Sequence, residues 1–206
     1  MTDTRDTSKR VQIIAAGEPI FERFGFRKTT VGEICREAGV SKRTFYELFS
    51  DKADLLMQML MHVISRSVSK WEEALTSEMT AIEKLERYID GYEEMGRNHP
   101  VFHICLHEPD VKAYTKDFMK YEEAQAMIEV LQRVVAEGIR RGELREMDPP
   151  TIVWIIGGLL DSMYYVFPEL TSEPSAFENE TLSRELRAFI LNGIRNLQHE
   201  STRREQ

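Results

Sequence analysis

The chain has 206 residues and a mass of 24.0 kDa, enough to bury a sizeable core as one large domain or two small ones. With 42% hydrophobic and 30% charged residues, and no apolar run near the roughly 18 residues of a membrane span, it reads as a soluble globular protein. Two cysteines, Cys35 and Cys105, exclude a disulfide framework, and the net charge of -8 argues weakly against nucleic acid until its distribution is considered.

Residues 1–52 hold ten Lys/Arg against eight Asp/Glu, and the remainder hold seventeen against twenty-seven. A mildly basic head on an acidic body is the asymmetry expected if only the head meets phosphate. The stretch Met1–Arg10 is polar and offers no secretory signal, so a cytoplasmic protein is expected.

Apolar residues recur at spacings of three and four without sustained alternation, which predicts an all-α fold of nine helices. The first spans about Arg5–Phe24, with Val11, Ile14, Ala15 and Phe21 inward and Gly25 at its end. Gly17 and Pro19 fall inside it, and the proline, lacking an amide proton, should bend it. The second starts at Thr30, where Thr30-Val31-Gly32-Glu33 matches a capping box, and ends at Ala38-Gly39-Val40. Ser41 caps a short third helix to about Leu48, and Ser50 a fourth from Asp51 to about Leu75. A fifth over Ala81–Asn98 stops at Pro100, and a short sixth over Val101–His107 stops at Pro109. A long seventh over Val111–Arg141 ends at Arg140-Arg141-Gly142. Asp148 caps an eighth with Pro149 and Pro150 in its first turn. The loop Pro168–Glu180 then leads to a ninth helix and a polar tail from His199.

The second and third helices are each about two turns long, and Gly39 between them can adopt the left-handed conformation that a steep crossing needs. The third helix displays Lys42, Arg43, Thr44 and Tyr46 within one and a half turns, side chains able to read base edges in a major groove. Thr29, Thr30 and Lys52 sit at helix N-termini, where hydroxyls, amides and a lysine suit phosphate. Ile34, Cys35, Phe45 and Phe49 would pack behind, Cys35 as a small core residue.

In Ile13-Ile14-Ala15-Ala16, Phe21-Glu22-Arg23-Phe24-Gly25-Phe26, Thr29-Thr30-Val31-Gly32-Glu33-Ile34, Ala38-Gly39-Val40-Ser41-Lys42-Arg43-Thr44-Phe45-Tyr46, Phe49 and Lys52, the sequence resembles the tetracycline-repressor-like (TetR) transcriptional regulators. The resemblance covers about residues 9–56. It implies that Thr30, Ser41, Lys42, Arg43, Thr44, Tyr46 and Lys52 face a double-stranded DNA operator. It further implies a helix-turn-helix DNA-binding domain over residues 1–50, with a helical ligand-binding and dimerisation domain over 51–206.

The eighth helix is apolar on nearly every face, from Ile152 to Phe167, so one side needs a partner beyond its own core. With the stripe along the ninth, this predicts a homodimer contact through Ile155, Leu159, Leu186, Phe189, Ile190, Gly193, Ile194 and Leu197; the alternative is an entirely internal core. In similar proteins the intervening helices hold a small-molecule effector. Candidate lining residues are Met57, Met61, Tyr88, Tyr92, Phe102, His103, Tyr121, Met127, Trp154 and Met163, each of which could equally be ordinary core.

His99, His103 and His107 recur every four residues beside Cys105 and Glu108, but Pro100 interrupts the backbone, so a packed or ligand-contacting histidine is favoured over a metal ligand. No nucleophile elbow, phosphate loop or HExxH motif is present, and no cofactor or catalytic residue is assigned. The expected protein is a dimeric, ligand-responsive repressor. An activator, a ligand-independent DNA-binding protein and a metal-dependent helical enzyme are its rivals.

Overall fold

The computed structural model describes residues 2–102, 108–173 and 175–196, in which helices account for nearly all regular structure. In chain order these are α1 (Thr2–Lys28), α2 (Val31–Glu37), α3 (Lys42–Leu48), α4 (Lys52–Ala74), α5 (Ala81–Asn98), α6 (Pro109–Thr115), α7 (Glu122–Arg140), α8 (Pro149–Asp161), α9 (Phe167–Thr171) and α10 (Glu180–Ile194). A 3-10 turn lies at Phe118–Lys120 and a π turn at Ser162–Val166. The all-α reading holds. The chain packs as two units, residues 1–66 with 98–125, and residues 67–97 with 126–206.

In the first unit the break in α1 falls at Gly25 (φ 73°, ψ 167°), a backbone pair that a Cβ would oppose; Pro19 is carried within helical backbone. The inward face of α1 is Ile13, Ala16, Gly17 and Phe21, while Val11 and Ala15 are exposed and Ile14 half-buried. Gly17 explains the phase. A Cβ there would stand 3.2 Å from Leu55 Cδ2 and 3.3 Å from Met59 Sδ, so α4 crosses α1 where α1 has no side chain. Phe21, Phe45, Phe49, Ile13, Ile34, Leu55 and Leu56 are almost wholly buried, each contributing roughly 1.5–3 kcal/mol by removal from water.

The α2 capping box is present, with the Glu33 amide bonded to Thr30 Oγ1 (3.3 Å) and the Thr30 amide to Glu33 Oε2 (2.9 Å). Its C-terminus closes as a Schellman motif around Gly39 (φ 65°), with Val40 N–H on the Cys35 carbonyl and Gly39 N–H on that of Arg36. At α4 the expected cap shifts by one residue. The Asp51 carboxylate, not the Ser50 hydroxyl, receives the amides of Ala53 (2.7 Å) and Asp54 (2.9 Å), because an acceptor-only group serves both donors at once.

The expected single helix over Val111–Arg141 is two helices. Glu108, just before α6, pairs with Arg27 at 2.7 Å, and Tyr114 donates to Asp51 at 2.9 Å, tying α6 into the first unit. The chain then turns through Lys116–Tyr121 before α7 starts. Most of the expected Val101–His107 helix lies outside the described residues.

In the second unit α7 ends at Gly142 in a second Schellman motif, and Asp148 caps α8 through the Thr151 amide, both as the sequence indicates. Pro168 cannot donate to the Tyr164 carbonyl and crowds it, and the turn before it widens to π geometry, with Phe167 N–H on Ser162 O. Consecutive Tyr164 and Tyr165 are both buried there.

Behind them lies an ion network centred on the buried Glu93. Glu93 accepts from Tyr164 Oη (2.5 Å) and Ser183 Oγ (2.6 Å) and pairs with Arg187 (3.1 Å) and Arg97 (3.6 Å). Burial works to raise its pKa, but the hydroxyl bonds and the Arg187 charge outweigh burial and hold it below the ordinary carboxylate value of 4.5.

Two outcomes are expected. At Gly138 a Cβ would lie 2.5 Å from Ala81 Cβ and 2.7 Å from Leu144 Cδ1, so Gly138→Ala should cost about 1–3 kcal/mol in urea unfolding. Because the folded pKa of Glu93 is depressed, its contribution is present above about pH 4.5 and lost as pH falls through the folded value. Glu93→Gln should therefore cost about 1–3 kcal/mol at pH 7, and its deficit relative to wild type should shrink in acid; a deficit constant with pH would contradict the network.

Candidate nucleic-acid interface

α3 is a seven-residue helix held to the first unit by one fully buried side chain, Phe45, whose ring meets Phe49 at 5.4 Å and Tyr46 edge-on at 5.3 Å. With Phe45 inward, Ser41, Lys42, Arg43, Tyr46 and Glu47 face outward and Thr44 is half-buried; Tyr46 is 57% exposed. Ser41 caps the helix, its hydroxyl 3.0 Å from both the amide and the Oγ1 of Thr44. Lys42 lies across Gly32 of α2, its Nζ 3.6 Å from where a Cβ on that glycine would stand, which keeps a cation near the exposed Thr30 at the α2 N-terminus. The Arg43 Nε donates to Glu47 at 2.9 Å, and the guanidinium stays exposed on the outer face of α3. Glu47 lies outside the set of expected site residues, and its i,i+4 spacing from Arg43 is the local signal for this pair.

Thr30, Ser41, Lys42, Arg43, Thr44 and Tyr46 are thus gathered on two short adjoining helices. Thr29 and Lys52 are placed differently. Thr29 is 1% exposed, and its hydroxyl donates to the Gly25 carbonyl at 2.8 Å. The Lys52 ammonium reaches the carbonyls of Phe26 (2.6 Å), Thr29 (3.1 Å) and Arg27 (3.3 Å) and sits 4.3 Å above the Phe26 ring. An ammonium has three protons, and three carbonyls take them. Lys52 is a clasp closing the α1–α2 turn, where its positive charge meets the negative end of α1. Cys35 is buried, and burial raises its thiol pKa, against a smaller opposing effect of Lys42, as for an inert core thiol.

The effector candidates divide between the units. Met57, Met61 and Phe102 are buried and Tyr121 half-buried in the first unit; His103 lies outside the described residues. In the second, Tyr88 reaches Met127 Sδ at 4.0 Å, and Tyr92 bonds Asp161 and lies 5.6 Å from Tyr164. Burial and then the Asp161 charge raise the phenol pKa values of Tyr88, Tyr92 and Tyr165, the last to about 12. Met163 is half-buried, and Trp154 is 51% exposed because Val153 and Ile156 turn the other face of α8 inward.

Of the expected dimer residues, Leu186, Ile190 and Ile194 are buried within their own unit. Ile155, Phe189 and Gly193 are exposed, Leu159 is half-buried, and Leu197 is outside the described residues. Among the described residues no group of three His, Cys, Asp or Glu could hold a metal. No helix of the described chain is long and apolar enough to cross a membrane.

Two capped short helices, a Schellman turn between them and an outward polar face on the second define a helix-turn-helix DNA-binding protein. Residues 13–59 match the family of bacterial regulatory proteins, tetR family. The fatty acid metabolism regulator protein of Bacillus subtilis (strain 168) is 24% identical over 193 residues, spanning 91% of this chain and 96% of that one. The HTH-type transcriptional regulator RutR of Escherichia coli (strain K12) is 22% identical over 197 residues, 92% of each. A crystal structure of the transcriptional regulator FadR from Bacillus subtilis in complex with stearoyl-CoA shares the fold with a TM-score of 0.71 at 22% identity, covering 89% of this chain and 98% of the other. Residues 13–59 thus carry the tetR-family helix-turn-helix, and along most of its length the chain is similar to known transcriptional regulators.

The clasp and a phosphate contact predict different behaviour for Lys52→Ala. Loss of the clasp should lower stability by about 2 kcal/mol, read as a fall in Tm, and leave the salt dependence of DNA binding by the folded variant unchanged. A phosphate contact would lower the salt slope by about one at unchanged Tm.

Proposed function

We propose that this regulator is a cytoplasmic homodimeric repressor that a small, largely apolar molecule releases from a palindromic duplex operator. Residues 1–50 would serve DNA, and residues 51–206 the effector and the dimer contact. The observation that carries the dimer is the uncovered apolar surface of α8 and α10. Trp154, Ile155 and Phe189 are 51%, 49% and 69% exposed, and Gly157, Gly158 and Gly193 have nothing within 4 Å of where a Cβ would stand. Glycines facing open space beside large apolar side chains suit the close approach of a second helix. One seven-residue recognition helix reads too few bases for useful specificity, and two copies supply a second half-site.

For the effector, support comes from the aromatic and methionine side chains of the second unit and from the likeness to FadR, whose stearoyl-CoA carries a long apolar chain. Such a molecule shifts the protein toward its DNA-free state only through a higher affinity for that state. Within each operator half-site, the residues offered to bases are Lys42, Arg43, Thr44 and Tyr46, and those offered to phosphate are Thr30 and Ser41.

Selection of bound fragments from a genomic library should yield an inverted repeat, and recovery without sequence preference would sink the proposal. Replacing Ile155 and Phe189 together by Glu should give monomers in sedimentation and weaken operator binding by about 100-fold or more, the avidity lost with the second head. A dimer surviving both charges would place the interface elsewhere.

A further inference from the structure

Phe177 lies in the connection between α9 and α10, yet its half-exposed ring meets three tyrosine rings of the second unit. It stacks on Tyr164 with centroids 4.1 Å apart and planes at 14°. It meets Tyr165 at 5.7 Å and 67°, and lies 6.5 Å from Tyr92 at 27°. On another side is Gly96 of α5, where a Cβ would stand only 1.9 Å from Phe177 Cζ. That glycine has no left-handed backbone to explain it, and alanine favours a helix more; the ring itself occupies the place of the side chain.

The walls of this slot are fixed from behind. The Tyr164 hydroxyl is tied to Glu93, which Ser183, Arg187 and Arg97 also engage, and the Tyr92 hydroxyl is tied to Asp161. Rings anchored at their hydroxyl ends keep their orientation when a neighbour leaves, so the space would persist rather than collapse. Phe177 is of a different character. It stands in a turn outside any helix, its hydrocarbon ring has no polar anchor, and the connection around it spans only Ser172–Asn179 between two helix ends. A preformed aromatic slot is thus filled by a side chain on a short connecting loop.

We propose that the slot bounded by Tyr92, Gly96, Tyr164 and Tyr165 is a binding site for a planar aromatic ring, and that Phe177 is its built-in occupant, which such a ligand displaces. This rests on the reading that an effector binds the second unit, and it narrows "largely apolar" to compounds carrying a flat ring. A ligand must compete with Phe177, so its apparent affinity is scaled down by the fraction of molecules with the slot open.

The test uses the full chain and 5-fluoroindole as the probe, with binding followed by fluorine NMR. Phe177→Ala should bind the probe about tenfold or more tightly than wild type, corresponding to a slot open about a tenth of the time or less. Adding Gly96→Ala to Phe177→Ala puts a methyl group where the ring would lie and should abolish that binding. The slot is refuted if Phe177→Ala binds no better than wild type, or if the double variant binds as well as the single one. Should Phe177→Ala not fold, as judged by circular dichroism, Phe177→Val retains an apolar anchor and carries the same two expectations. Operator binding by the ligand-free variant is measured alongside. Probe binding without operator binding would overturn the regulator reading and leave the slot intact, whereas operator binding without probe binding would overturn the slot alone.

Discussion

A seven-residue helix has almost no stability of its own in water, since nucleating it fixes several residues for very few hydrogen bonds. α3 is such a helix, and all but one of its side chains lie wholly or partly outside the core. Its existence therefore depends on the packing of Phe45 against Phe49 and the rest of the first unit's core, with the Ser41 cap and the Gly39 turn fixing where it begins. The same division of labour leaves the polar face free. Phe45 anchors the helix, Thr44 and Leu48 are half-buried beside it, and the remaining side chains face outward.

Orientation of α2 and α3 rests in turn on the α1–α2 junction. There Gly25 breaks the helix, Thr29 turns inward to bond the Gly25 carbonyl, and Lys52 gathers three carbonyls from the junction. A lysine at the start of α4 thus stabilises the end of α1, bridging 26 positions in sequence with one side chain. The first unit is also completed by a distant segment, with Glu108 on Arg27 and Tyr114 on Asp51. Asp51 caps α4 with one carboxylate oxygen and accepts Tyr114 with the other, so the segment after α5 contacts the residue that begins α4.

The second unit follows another principle, aromatic packing around a satisfied ionic centre. Glu93 is a carboxylate that burial alone would drive toward protonation; two hydroxyls and two guanidiniums keep it charged and make it the post to which Tyr164 and α10 are tied. Breaking one partner there leaves the others without compensation, so the centre specifies the arrangement of its helices as much as it stabilises them.

Local signals determined a great deal. The Thr30 capping box, the Ser41 and Asp148 caps and the Gly25, Gly39 and Gly142 breaks were all legible in the sequence, because each acts over a few residues and needs one residue type. The outward face of α3 followed from the same short spacing. What the tertiary structure alone decided depends on distant partners. The inward face of α1 was set by where α4 crosses Gly17, and Lys52 was directed to carbonyls although its position suited phosphate equally well. Leu186, Ile190 and Ile194 went to the core while Phe189 stayed outside, since an apolar stripe does not say which neighbour covers it. The contact between Gly96 and Phe177 spans 81 positions, and no local pattern announces it, since Gly157 and Gly158 are equally helical glycines and face open space.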